Sequence, residues 1–291
     1  MRAGSEPAQD RRGDGAAEQR DGQRPLRAAL TRAKPTVLAT PEDTPEQLLA
    51  HRYYHPELVL TLYTCTDALA TPATRAHLTT LLDVLGASAV RNPVCLITKR
   101  AIPDDVVTCI TRNREAGLPI LVYLSYSGLG PDIEQGIDHA VLRANFPHLH
   151  TAGIPVIHYW RPALPQNSTP DVIEHVMDWA ARYAACTVAV GTKVKPTALT
   201  QITGLWPELA DPHLDPQVAD SVWPRTTWDW LHHLPDRYAG HPVFQTNRGT
   251  CRTPSQPACP ERLVRSPPAA SEPRAVRPSP DVEVNPRVSA G

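Results

Sequence analysis

Five stretches of this chain are apolar almost without interruption: 58–63, 94–97, 120–124, 154–157 and 187–190. Each has the length of a strand and none alternates, so each predicts a strand buried on both faces, as in a parallel sheet covered by helices. Helical patterns lie between them. Thr71-Pro72 places a capping threonine before a proline at the first helical position. Leu78, Leu81, Leu82 and Leu85 follow at helical spacing, with Gly86 as the stop. Thr169-Pro170 repeats the cap before Ile173, Val176, Met177 and Ala180, and Leu142, Phe146 and Leu149 form a third stripe ending at Gly153. Strands and helices in alternation predict a parallel α/β fold, either an open doubly wound sheet or a barrel.

Composition narrows the part that folds. Residues 1–34 carry 13 charged side chains and only two large aliphatics, Leu26 and Leu30, too little apolar surface to offset the entropy of ordering them. Residues 251–291 hold 9 of the chain's 32 prolines and no aromatic residue, and read as a disordered Pro/Arg-rich tail. Either end could serve as a partner-binding arm. The remaining segment, 35–250, falls short of the about 250 residues of an eight-stranded barrel. It therefore predicts a partial parallel (βα)6-type barrel, with disordered termini.

Charge excludes more than it suggests. A net charge of −1 gives no electrostatic footprint for nucleic acid. No run of 18 apolar residues predicts a membrane span, and the charged start is no secretory signal, so a soluble, cytoplasmic protein is expected.

In a parallel α/β fold, ligands sit beyond the carboxyl ends of the strands. Those ends read Thr64-Cys65-Thr66-Asp67, Thr98-Lys99-Arg100, Ser125-Tyr126-Ser127 followed by Glu134, His158-Tyr159-Trp160-Arg161-Pro162, and Gly191-Thr192-Lys193. A ring mixing both signs of charge suits a zwitterionic or phosphorylated small molecule. Standard motifs fail: Gly128-Leu129-Gly130 lacks the third glycine of a dinucleotide fingerprint at its required offset. His148 with His150, and His232 with His233, lack zinc-type spacing and read as surface residues. Among the 6 cysteines no CxxC pair occurs; Cys65 and Cys95 read as small core residues, Cys251 and Cys259 as idle thiols.

The order of these elements over residues 45–195 resembles radical S-adenosylmethionine enzymes, in particular the branch similar to spore photoproduct lyase. The likeness is carried by Thr66-Asp67, Thr98-Lys99-Arg100, Ser125, and the segment from Glu134-Gln135-Gly136 to Arg143. Ala152-Gly153-Ile154-Pro155-Val156, and His158 to Pro162 with Pro165-Gln166-Asn167, complete it. Pro242-Val243-Phe244 through Thr250-Cys251 is similar to the family's C-terminal ending. The resemblance implies a partial barrel holding S-adenosylmethionine and a [4Fe–4S] cluster, whose reduced form generates a 5′-deoxyadenosyl radical that abstracts hydrogen from a substrate. It implies cofactor-binding roles for Lys99, Ser125, Glu134 and Arg143, the last pairing a carboxylate as a guanidinium fork. Asp67, His158 and Arg161 would face the substrate.

One departure is decisive. The cluster requires thiolates, normally spaced CxxxCxxC after the first barrel strand. Residues 1–64 contain no cysteine, and no three-cysteine cluster follows. The first βα unit is thus expected to be missing or degenerate, with 35–39 a remnant strand. Three readings stay open: a truncated or degenerate radical S-adenosylmethionine-like protein, inactive alone; a non-catalytic barrel remnant binding S-adenosylmethionine or a partner; and a cluster-free α/β enzyme using Lys99, Asp67 or His158 as acid–base groups.

Overall fold

The computed structural model describes residues 40–64, 66–215 and 221–245. The expected arms 1–34 and 251–291, the remnant strand 35–39, and Cys65, Cys251 and Cys259 lie outside the described residues.

The described residues open with a short helix, α1 (Thr44–Leu49), and then alternate: β1 (Leu60–Leu62), α2 (Pro72–Ala87), β2 (Val94–Thr98), α3 (Asp104–Glu115), β3 (Ile120–Leu124), α4 (His139–Thr151), β4 (Val156–Trp160), α5 (Pro170–Tyr183) and β5 (Cys186–Ala189). A two-stranded antiparallel pair follows, β6 (Thr192–Lys193) with β7 (Ser221–Val222), together with helices α6 (Leu199–Leu205) and α7 (Arg225–Arg237). A last short strand, β8 (Val243–Phe244), returns to the main sheet beside β5.

The main sheet is six-stranded, parallel throughout, and ordered β1-β2-β3-β4-β5-β8. Strands stand in the order in which the chain makes them, without the reversal that defines a doubly wound sheet. Alternate residues consequently belong to two separate cores. Val94, Leu96, Ile120, Val122, Leu124, Val156 and Trp160 pack with Leu78, Val106, Ile110, Phe146, Val176 and other helix residues. Cys95, Leu121, Tyr123, Ile157, Tyr159, Cys186 and Val188 form a second cluster on the opposite face, called the inner face because this cluster includes no helix residue. The helices therefore cover one face. Among the described residues β1 and β8 are the two edges and do not pair with each other.

Local chemistry explains most boundaries. Thr71 caps α2 reciprocally with Thr74: each hydroxyl accepts the other's backbone N–H at 3.1 Å. Gly86 is not the stop. It lies in the last turn of α2, where a Cβ would stand 2.1 Å from Asn113 Oδ1, so its absent side chain lets α3 approach. Gly153 does supply a left-handed residue (φ +67°) after α4. β1 is shorter than its apolar run, because Leu58 is exposed and Tyr63 takes φ +53°, which ends the strand. β4 runs further than expected, so His158, Tyr159 and Trp160 are interior strand residues rather than a strand end. No helix among the described residues is long and apolar enough to cross a membrane.

Candidate functional site

The inner face can be followed row by row, since neighbouring strands are in fixed register. One row runs Ile97–Tyr123–Ile157–Cys186 across β2 to β5 and is apolar. Two residues further along each strand, the next inward-facing row is Lys99, Ser125, Tyr159 and Val188. Tyr159 pairs with Val188 directly. Ser125 and Lys99 extend, by one residue, the registers whose last pairs are Leu124 with His158 and Thr98 with Leu124. The Ser125 N–H donates to the Thr98 carbonyl at 3.0 Å, holding that extension in place. Ser127 and Arg161 follow in the loops just beyond the ends of β3 and β4. An apolar floor thus ends in a polar rim, and the change falls between consecutive inward positions of the same strands.

Glu134 organises the rim. Lys99 Nζ donates to Glu134 Oε1 and Ser127 Oγ donates to Oε2, so a loop beyond β3 is tied to β2. The ammonium also reaches the Arg161 carbonyl at 3.3 Å. Several braces fix the loops behind these groups. Asp67 accepts from Thr98 Oγ1 at 2.9 Å, from the Lys99 N–H at 2.8 Å and from the Leu69 N–H at 2.9 Å. Asn145 on α4 donates to the Arg100 carbonyl at 2.8 Å and accepts the Ile102 N–H at 3.0 Å. Asn167, fully buried, donates to the Ser127 and Pro162 carbonyls at 2.8 and 2.9 Å and accepts the Leu164 N–H at 2.7 Å. Arg100 Nη1 donates to the Gly136 carbonyl at 3.1 Å.

Two groups on the rim are not consumed by this bracing. Ser125 Oγ is buried with no hydrogen-bond partner. Arg161 carries its guanidinium 5.4 Å from the centre of the Tyr159 ring, with Nη1 3.5 Å from the Tyr159 hydroxyl.

The expected site residues separate into those that meet and those that do not. Lys99, Ser125, Glu134 and Arg161 come together at the inner rim. Asp67 is spent on backbone and Thr98 contacts, which makes it a positioning residue for Lys99. Arg143 is not brought to the rim: it sits on α4 with its guanidinium 4.2 Å from the Trp179 ring of α5 and 3.4 Å from His175 Nε2. His158 faces the helices and is fully buried between Thr187 Oγ1 (3.0 Å) and the Tyr126 carbonyl (2.9 Å). Burial pushes its pKa down from 6.5 to about 4, so the ring is neutral. Ser127 and Tyr159 belong to the rim, although the sequence marked them only as parts of polar strand ends. Their alternation with Ser125 and Arg161 was the available signal.

Among the described residues no donor set fits an iron–sulfur cluster. Cys95 lies on β2, Cys186 on β5 and Cys109 on α3, each buried. Burial, followed by the neighbouring Asp83 charge, pushes the Cys109 thiol up to about 11, away from the thiolate form that iron needs. Among the described residues no group of three or more His, Cys, Asp or Glu side chains could hold a metal ion. No protein-family model and no curated protein matches the chain.

Proposed function

We propose that the six-stranded sheet is a partial (βα)6-type barrel of the radical S-adenosylmethionine kind, and that its inner rim binds S-adenosylmethionine in a soluble, cytoplasmic protein. The observation that supports this most is the polar row Lys99–Ser125–Tyr159, topped by Ser127 and Arg161 above an apolar floor, at the carboxyl edge of a sheet whose helices all lie on the other face. The ligand combines an ammonium, a sulfonium, a carboxylate and a flat aromatic base, and the rim offers a carboxylate, a guanidinium and hydroxyl groups. Glu134 keeps acceptor capacity beyond its bonds to Lys99 and Ser127, because an ionised carboxylate offers about four lone-pair sites. The unpartnered Ser125 hydroxyl is free to donate or accept. Tyr159, packed edge to face on the fully buried Tyr123 ring at 5.6 Å, supplies the aromatic side chain beneath the rim.

The described cysteines supply no cluster, so no radical step is derived for them; binding is the activity supported. Calorimetric titration of the full chain with S-adenosylmethionine is expected to give saturable heat. Glu134→Gln should weaken binding by about tenfold, the scale of one charge-assisted hydrogen bond. Absence of heat from the unaltered chain would overturn the proposal.

A further inference from the structure

Past Leu124 the chain of β3 leaves the sheet ladder. The Ser125 N–H still donates to the Thr98 carbonyl, but the Tyr126 N–H turns back onto the Leu124 carbonyl at 3.0 Å. The Tyr126 carbonyl, between the rim serines Ser125 and Ser127, receives His158 Nε2 from β4 at 2.9 Å. The other ring nitrogen of His158 lies 3.0 Å from Thr187 Oγ1 on β5, and that oxygen lies 2.9 Å from His241 Nε2 at the entry to β8. One hydrogen-bonded line thus crosses the helix side of the sheet, from the last strand to the rim. Its three side chains are buried, so water does not replace a bond that one of them loses, and the links are made or lost together.

The far end of the line is the easiest to release. β8 is two residues long, half-buried and at an edge of the sheet. Val243 pairs with Thr187 and Phe244 with Val188, and the Thr187 N–H donates to the Pro242 carbonyl at 2.9 Å. Thr187 therefore holds the strand through its backbone and the line through its hydroxyl. We propose that β8 is a latch for the rim: docked, it holds Ser125–Ser127 in place through His241, Thr187 and His158, and released, it lets that segment loosen. By linkage, whatever fixes the β3 end of the rim favours docked β8 in return. The latch does not depend on which ligand the rim takes.

Native-state hydrogen exchange of the full chain, without ligand and in low urea, tests it. The amides of Thr187 and His241, bonded to the Pro242 and Tyr238 carbonyls, report β8, and those of Ser125 and Tyr126 report the rim. All four are expected to exchange through one common opening, below the protection of Val122 inside β3. Separate openings for the two pairs would overturn the proposal. His241→Leu cuts the line at its far end and should speed exchange at Ser125 and Tyr126 by about fivefold or more. Added to Thr187→Val it should change nothing further at those two amides, because the line is already cut. Unchanged exchange at Ser125 and Tyr126 in His241→Leu, or additive effects in the double variant, also overturns the latch. Should Thr187→Val not fold, the unaltered chain and His241→Leu decide between the outcomes.

Discussion

Three buried polar side chains cross the helix-facing side of the sheet in one line, and the direction of each hydrogen bond follows from its neighbours. His158 Nε2 lies 2.9 Å from the Tyr126 carbonyl, which only accepts, so that nitrogen carries the proton. His158 Nδ1 must then accept, and Thr187 Oγ1, 3.0 Å away, donates to it. The same oxygen lies 2.9 Å from His241 Nε2, which donates in turn. Met177 Sδ, at 3.6 Å from the hydroxyl, is the weaker acceptor. His158, Thr187 and His241 are at most 1% exposed. Thr187→Val keeps the volume but removes both bonds, leaving an acceptor on His158 and a donor on His241 without Thr187. Each buried group so stranded costs about 1–3 kcal/mol, so the variant should lose about 2–6 kcal/mol. Thr187→Ser keeps the hydroxyl and drops one methyl, at about 1 kcal/mol. Urea unfolding of the two variants against the unaltered chain measures both. Equal loss in the two variants would refute the stabilising role of the Thr187 hydroxyl bonds. The line also sets a pH dependence. His158 is held near 4 when folded against 6.5 ordinarily, so the unfolded chain binds the extra proton between those values. Stability is then full above pH 6.5 and falls as pH drops toward 4, by about 3 kcal/mol in all.

Further outcomes follow from the same geometry. Asp67→Ala removes the acceptor for Thr98 and for the Lys99 N–H, and should lower stability by about 1–3 kcal/mol in thermal unfolding. The same variant should weaken S-adenosylmethionine binding in calorimetry; unchanged affinity would show that Lys99 needs no such brace. Gly191→Ala would place a Cβ 2.1 Å from the Val222 carbonyl oxygen, a backbone atom of the β6–β7 pair. That clash should cost about 1–3 kcal/mol and raise hydrogen exchange over Thr192–Lys193, whereas unaltered exchange would mean that the pair moves freely. Anaerobic incubation with iron and sulfide should leave no cluster ligated by Cys95, Cys109 and Cys186. A cluster lost from a Cys95→Ala, Cys109→Ala, Cys186→Ala triple variant would contradict the burial argument.

Strand and helix positions were legible because each buried parallel strand is a continuous apolar run and each long helix keeps one apolar stripe; the expected cap at Thr71 forms, whereas Thr169 stands at the N-cap of α5 without a side-chain capping bond. The five runs became β1 to β5 with shifts of a few residues, and Thr71 and Gly153 acted as read. β8 was not legible as a strand: two residues, Val243 and Phe244, carry too little pattern, and only pairing with β5 defines them. The site was legible in part. A polar strand end does not say which of its residues points inward; that depends on strand parity and on register with the neighbours. His158 illustrates this, because β4 continues through Trp160 and the imidazole therefore falls on the helix side. Arg143 lies on a helix stripe whose outward position the sequence spacing to Glu134 does not disclose. Ser127 and Tyr159, by contrast, follow from alternation once one inward residue of each strand is known.

The sequential order of the sheet has a consequence for how the molecule is made. Each of β2 to β5 pairs with the strand synthesised immediately before it, so every contact in that part closes a short loop and the sheet can lengthen one unit at a time as the chain emerges. β8 breaks that rule, reaching β5 only after the excursion through 190–242. The bond from His241 to Thr187, like the bond from the Thr187 N–H to the Pro242 carbonyl beside it, is therefore a long-range fastening of the sheet, and the Thr187 hydroxyl waits for it until the last strand has been made.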